Sequence, residues 1–414
     1  MTIFTKLSEM NIARKNTFSI VLIAAVAFII YSNTFVASFH FDDFLSIVEN
    51  YAIHRFDIKQ IFSGSTRPVL DLTFALNYHF GKLDVFGYHL VNLLLHIANG
   101  VMLYFILLWT VHNYEEQRDK NEDMSGVSGE PRPKSLSGVP LYASLIFISH
   151  PVQTQAVTYI VSRSSVLATF FYLLTLLLFI RAFRSSNSSQ VTRHSSLYLI
   201  GAFLAICLGM GSKQETATLP LMLLLYDYYF LSEGKIAGLK RHFKVYLAMF
   251  LPLAILLYFS FTSIHQFISF DYAKGIQIPQ NEPITSAEYF LTQLHVIPYY
   301  IKLLLIPANL NLDYDWPITR YFDFMTAFYF VLLLSINILA IWLFRTQRMI
   351  SFGIIWFFVT LSVTSSFLVI YDVIFEHRLY LPSIGFAIVA ATLIHKISDL
   401  KIFRMTTRCT ENDA

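Results

Sequence analysis

Two adjacent carboxylates, Asp42 and Asp43, stand between Phe41 and Phe44 directly after a long apolar run, in the stretch FHFDDF. A carboxylate against an apolar wall gains basicity by desolvation, which suits it to take a proton from a hydroxyl. Paired oxygens also ligate divalent cations, so a metal ion held by Asp42 and Asp43 stays open. The competing reading is a solvated loop start, where acids are common. Cations recur at similar apolar edges: Arg67 in STRPVLDL, Arg163 in IVSRSSVL, Lys213 in GSKQET and Arg378 in FEHRLYLPS. Lys and Arg both pair with phosphate oxygens, Arg in bidentate fashion. An acid beside such a phosphate site, at a membrane surface, outlines transfer chemistry from a lipid phosphate. The base takes a proton from an acceptor hydroxyl while the cations stabilise the departing phosphate. Taken singly, each cation reads equally well as a helix anchor whose stem lies along apolar surface.

Other polar residues join this set. His89, Asn92, His96 and Asn99 follow spacings of three, four and three, which places them on one stripe of a helix. Such a stripe makes either interhelical hydrogen bonds or substrate contacts. His150 and Gln155 in HPVQTQAV, Glu215 beside Lys213, and Glu376 and His377 beside Arg378 are further candidates for substrate binding. Tyr314 and Trp316 in NLDYDW would stack on a sugar, or belong to an interfacial aromatic belt.

The elements that must position these groups are membrane helices. Of 414 residues, 55% are hydrophobic and 14% charged, against about 25% charged in soluble domains. The expected fold is an all-α polytopic bundle of about 10–11 transmembrane helices. Spans are predicted at 17–38, 88–110, 140–161, 164–182, 196–211, 214–231, 245–263, 323–344, 350–372 and 378–395. Segment 287–306 carries His295, Pro298 and Lys302 and is predicted to be a re-entrant or interfacial helix broken at Pro298. A net charge of +3 gives no footing for nucleic acid, and Cys207 and Cys409 lie too far apart for a metal or disulfide pattern. No cleavable signal peptide is evident.

Basic residues in the short loops set the orientation. A cytoplasmic amino-terminal segment (1–16), a flexible cytoplasmic linker loop (112–138) and a cytoplasmic tail (396–414) flank and interrupt the membrane domain 17–395. The outer face then receives a first loop at 39–87, the ends around 162–163, the turn at 211–216, a second loop at 263–322 and the segment 375–379, which together carry most of the candidate residues.

Five ordered stretches, FHFDDFLSIVEN, RPVLDLTFALNYHFGKLDVFGYHLVNLLLHIANG, HPVQTQAVTYIVSRSSVLATFFYLL, KQETATLPLMLLLYDYYFL and EHRLYLPSIGFAI, resemble the transmembrane part of the TMTC-type protein O-mannosyltransferases. The resemblance covers about residues 17–395. It implies a GT-C-like fold and a glycosyltransferase that uses a polyprenyl-phosphate-linked sugar on the non-cytoplasmic face, with Asp42 as base and Asp43 orienting the acceptor or binding a metal. It implies phosphate roles for Arg163, Lys213, Arg378 and Arg67. Two departures stand out: the sequence closes soon after its last apolar run, without tetratricopeptide repeats, and Gln155 stands where eukaryotic members usually carry Glu. Both suggest a bacterial-type relative in an inner membrane with a periplasmic site. The acceptor would be a protein Ser or Thr, or else a lipid or envelope glycan. A lipid flippase is the remaining alternative, although the two-half internal repeat common in transporters is not seen.

Overall fold

The structure, a computed structural model, describes residues 12–125, 135–184, 193–254, 284–370 and 372–412. Parts of the expected amino-terminal segment, linker loop, second outer loop and cytoplasmic tail lie outside the described residues. Every described element is helical. Four helices are long and apolar enough to cross a membrane, within Ile12–Val36, Val85–Asp119, Ile160–Arg184 and Phe324–Leu343. Shorter apolar helices at Val139–Ser149, Ser195–Met210, Phe243–Ala254, Arg348–Leu361 and Ser383–Ser398 complete the bundle. The chain is an all-α membrane protein.

Several expected spans are divided, and Pro151, Pro220 and Pro382 stand at three of the breaks. The predicted span 140–161 is helical only to Ser149. His150 turns extended before Pro151, and three short turns carry the chain to Ser162. The span expected at 214–231 opens as a tight turn, Gln214–Thr218, becomes α-helical only at Leu219 with Pro220 in its first turn, and closes as a π-turn, Asp227–Leu231. The span expected at 350–372 ends at Leu361, and the last begins at Ser383 after Pro382.

Two expectations are corrected. Ser286–Leu305 is one continuous helix with Pro298 inside it rather than a helix broken there. A Thr285–Glu288 capping box fixes its start, and Tyr289, Val296, Tyr300 and Leu303 pack along its length, so the missing Pro298 amide does not break it. The linker loop is also shorter than expected, because the helix that begins at Val85 runs on to Ser125. Beyond its apolar stretch Glu115 accepts the Leu136 amide at 2.5 Å and ties the far side of the linker to it.

A large apolar core joins the inner helices. Two smaller cores flank the site: one under residues 39–87, around Phe74 and Tyr88, and one around Tyr289, Tyr300 and Leu379. The carboxy-terminal helix approaches Arg348–Leu361 backbone to backbone, since a Cβ on Gly385 would lie 2.3 Å from the Gly353 carbonyl oxygen. That close crossing sets where the chain enters from Glu376–Leu379.

Candidate active site

A cavity of about 730 Å³ opens among segments that the outer-face assignment grouped together. Asp42, Arg67, Lys213, Glu215, His377 and Arg378 line it. Residues from four distant parts of the sequence therefore meet at one wall. Backbone contacts produce the meeting. The Val69 amide donates to the Gly211 carbonyl at 3.0 Å, which brings Arg67 beside the turn that carries Lys213 and Glu215. A Cβ at Gly211 would sit 2.7 Å from the Val69 side chain, so glycine permits the approach.

The two acids of FHFDDF have separate positions. Asp43 is buried at 1% exposure, and its carboxylate accepts the Val161 amide at 2.8 Å and the His40 amide at 3.0 Å. Burial raises its pKa to about 6 against the lowering effect of those two amides. Asp42 is exposed and lines the cavity. The Tyr159 hydroxyl accepts its backbone amide at 2.9 Å and also reaches its carboxylate. Phe41, immediately before it, has φ 44°, a left-handed conformation that bulky residues avoid. Backbone strain of this kind gathers at sites where a neighbouring group must be aimed.

With both Asp43 oxygens on backbone amides, Asp42 is the member of the pair open to a ligand. Among the described residues no group of three His, Cys, Asp or Glu side chains is arranged to hold a metal ion.

Three of the four expected cations line the cavity. Lys213 is buried and pairs with Glu215 at 2.6 Å and with the Ser165 hydroxyl at 2.7 Å. Burial pulls its ammonium below the ordinary lysine range, with Glu215 opposing. Arg378 donates to the carbonyls of Val373 (3.2 Å) and Asp372. The Arg67 side chain is half-buried and has no hydrogen-bond or ion-pair partner among the described residues. A bound anion would meet one free guanidinium and two cations already held in place.

Arg163 is the exception and its expected phosphate role is withdrawn. It is fully buried, donating to Asn92 Oδ1 (2.7 Å), Asn77 Oδ1 (2.6 Å), Thr73 Oγ1 (3.2 Å) and the Tyr88 carbonyl (2.9 Å). Its guanidinium also lies over Phe74, 4.6 Å from the ring centroid. Arg163 fastens helix Pro68–Gly81 to the helix that begins at Val85, and its neighbours Ser162 and Ser164 line the cavity instead.

Most of the expected substrate-binding residues are likewise occupied with the protein. His89 contacts the Ala37 carbonyl at 2.9 Å and Asn92 donates to that of Val157 at 3.2 Å, so the polar stripe on this helix is packing. His150 caps the turn after it and contacts the Leu304 carbonyl at 2.9 Å. Gln155 accepts the His377 amide at 2.6 Å and donates to the Leu312 carbonyl at 2.7 Å. Glu376 accepts the Asn311 amide at 2.6 Å and the Tyr314 hydroxyl, and burial raises its pKa. Trp316 packs on Tyr299 at 5.0 Å. Gln155 and Glu376 hold the strap 306–323 in place through Leu312, Asn311 and Tyr314, and none of His89, Asn92, His150, Gln155, Glu376, Tyr314 and Trp316 lines the cavity. Tyr159, Asp313 and Asp372 line the cavity without having been singled out in the sequence. Asp313 alternates with the aromatics of NLDYDW and Asp372 stands four residues before Glu376, the only local signals either offers.

No family model matches the chain, and no solved structure matches it. Among curated proteins it is similar to the protein O-mannosyl-transferase F38B6.6 of Caenorhabditis elegans, 25% identical over 406 residues, which cover 92% of this chain and 52% of the relative. Human protein O-mannosyl-transferase TMTC3 is 24% identical over 433 residues, covering 95% of this chain and 44% of that protein. Xenopus laevis tmtc2 is 31% identical over 226 residues, covering 50% of this chain and 24% of that protein. The chain thus spans about half the length of the relatives it matches end to end. Over most of its own length, the chain is similar to the TMTC-type protein O-mannosyltransferases.

Proposed function

We propose that this protein is a membrane glycosyltransferase that moves a sugar, mannose by kinship with its relatives, from a polyprenyl-phosphate carrier to a protein Ser or Thr hydroxyl on the non-cytoplasmic face. One observation carries the reading: an exposed carboxylate, Asp42, shares a cavity with Arg67, Lys213 and Arg378. Asp42 takes the proton of the acceptor hydroxyl as its oxygen attacks the anomeric carbon. The bond from that carbon to the phosphate oxygen breaks and its electron pair leaves with the phosphate. Arg67, Lys213 and Arg378 face that developing charge in a partly desolvated wall, where fixed cations act most strongly. Leu45, Leu368 and Ile370 line the same cavity and suit the first isoprene units of the carrier.

The test is a transfer assay with purified protein, radiolabelled mannosyl polyprenyl phosphate and three acceptors: a Ser/Thr-rich protein, a lipid and an envelope glycan. Label on the protein supports the proposal. Label confined to lipid or glycan overturns the acceptor, and a carrier moved across vesicles without sugar transfer overturns the enzyme.

A further inference from the structure

We propose that His377 is the proton-linked ligand of the phosphate site: its imidazole takes up a proton as the donor phosphate enters and holds that phosphate by a hydrogen bond. The inference rests on the reading of this cavity as a donor-phosphate site. His377 sits in the turn Glu376–Leu379, where the residue before the turn, Phe375, is extended. Its backbone amide is held by Gln155 at 2.6 Å, and its ring stacks on Phe375 with centroids 4.9 Å apart and planes 24° from parallel. The backbone is thus held by Gln155 and the ring by Phe375, while the residue lines the cavity. Its Nδ1 is buried and has no hydrogen-bond partner among the described residues. A buried polar atom left without a partner is costly, and it persists where a ligand completes it.

The surrounding charges say which ligand. Lys213 (in the turn before Gln214–Thr218), Arg67 (at the start of helix Pro68–Gly81) and Arg378 (the next residue in its own turn) line the same cavity and act on the ring electrostatically. Glu215 is paired with Lys213, and Asp42, Asp313 and Asp372 also line the cavity. Burial and the three cations keep the imidazole neutral in the free protein. An entering phosphate cancels the field of those same cations and offers oxygen acceptors at the ring. Protonation then becomes favourable and adds a charge-assisted hydrogen bond. Linkage makes the coupling reciprocal, so phosphate binds more tightly at lower pH.

Isothermal titration of the full chain in detergent with farnesyl phosphate, in two buffers of different ionisation enthalpy, reads the protons taken up. The probe titrates too, so the difference between wild type and variant isolates the ring. Between about pH 6 and pH 8, wild type is expected to take up more protons than His377→Phe, and its affinity to fall more steeply, by up to about tenfold per pH unit. His377→Gln keeps a donor, and is expected to bind better than His377→Phe yet without the extra proton. Equal proton uptake and parallel affinity curves in all three proteins overturn the proposal while leaving the phosphate site intact. Failure of wild type to bind farnesyl phosphate, with Arg378→Gln indistinguishable from it, overturns the underlying reading as well.

Discussion

Asp43 Oδ1 accepts the Val161 amide at 2.8 Å, across more than a hundred residues of sequence, and thereby joins the FHFDDF segment to the turn that leads into Arg163. The acid next to the proposed base is a staple. Its pKa is raised in the folded protein to about 6, from 3.8, chiefly by burial. A carboxyl raised on folding contributes stability that is full below its unfolded pKa and is lost as pH rises through its folded pKa. Asp43 therefore favours folding most below about pH 4 and loses that contribution by about pH 6, a change on the order of 1–3 kcal/mol. Asp43→Asn, which keeps one acceptor oxygen, is expected to flatten this part of a melting-temperature-against-pH curve. An unchanged curve contradicts the assignment.

Arg163→Lys is expected to destabilise by about 3–5 kcal/mol, because one ammonium cannot reach Asn77, Asn92, Thr73 and the Tyr88 carbonyl together. Saturating farnesyl phosphate should not restore it. A stable variant whose only defect is donor affinity would return Arg163 to the phosphate site.

Lys213 and Glu215 form a buried pair 2.6 Å apart. Lys213→Met leaves Glu215 uncompensated and should cost about 3–5 kcal/mol of stability. Adding Glu215→Gln should recover most of that loss in chemical unfolding. The double variant is expected to fold and still bind farnesyl phosphate at least tenfold more weakly than wild type. Restored binding would remove Lys213 from the phosphate site.

Gln155 donates to the Leu312 carbonyl and accepts the His377 amide, a combination a carboxylate cannot make. Gln155→Glu should keep the second contact and lose the first. Hydrogen exchange in residues 309–316 is expected to rise by about tenfold, with the helix Ser286–Leu305 unaffected. Unaltered exchange in that strap would show that Gln155 does not hold it.

The helical architecture was legible because apolar runs must be helices in a membrane, and the convergence of Arg67, Lys213, His377 and Arg378 followed from assigning their segments to one face. What could not be read was which polar groups are already satisfied. Arg163 and Gln155 look like binding residues until their partners, Asn92 and His377, arrive from 71 and 222 positions away. Asp42 and Asp43 are neighbours with the same side chain, and only the positions of Val161 and Tyr159 separate base from staple. Pro298 showed the opposite limit: packing along Tyr289–Leu304 holds a helix that local propensity would break.

The most direct test of the account is Asp42→Asn, measured for donor binding and for sugar transfer in the same preparation. Asp42 is exposed and its contact with Tyr159 includes its backbone amide, so the variant should fold. The account predicts farnesyl phosphate affinity within a few-fold of wild type and a fall in the rate of sugar transfer of about 10²–10⁴-fold, the scale of a lost general base. Transfer at the wild-type rate by a folded Asp42→Asn protein would contradict it.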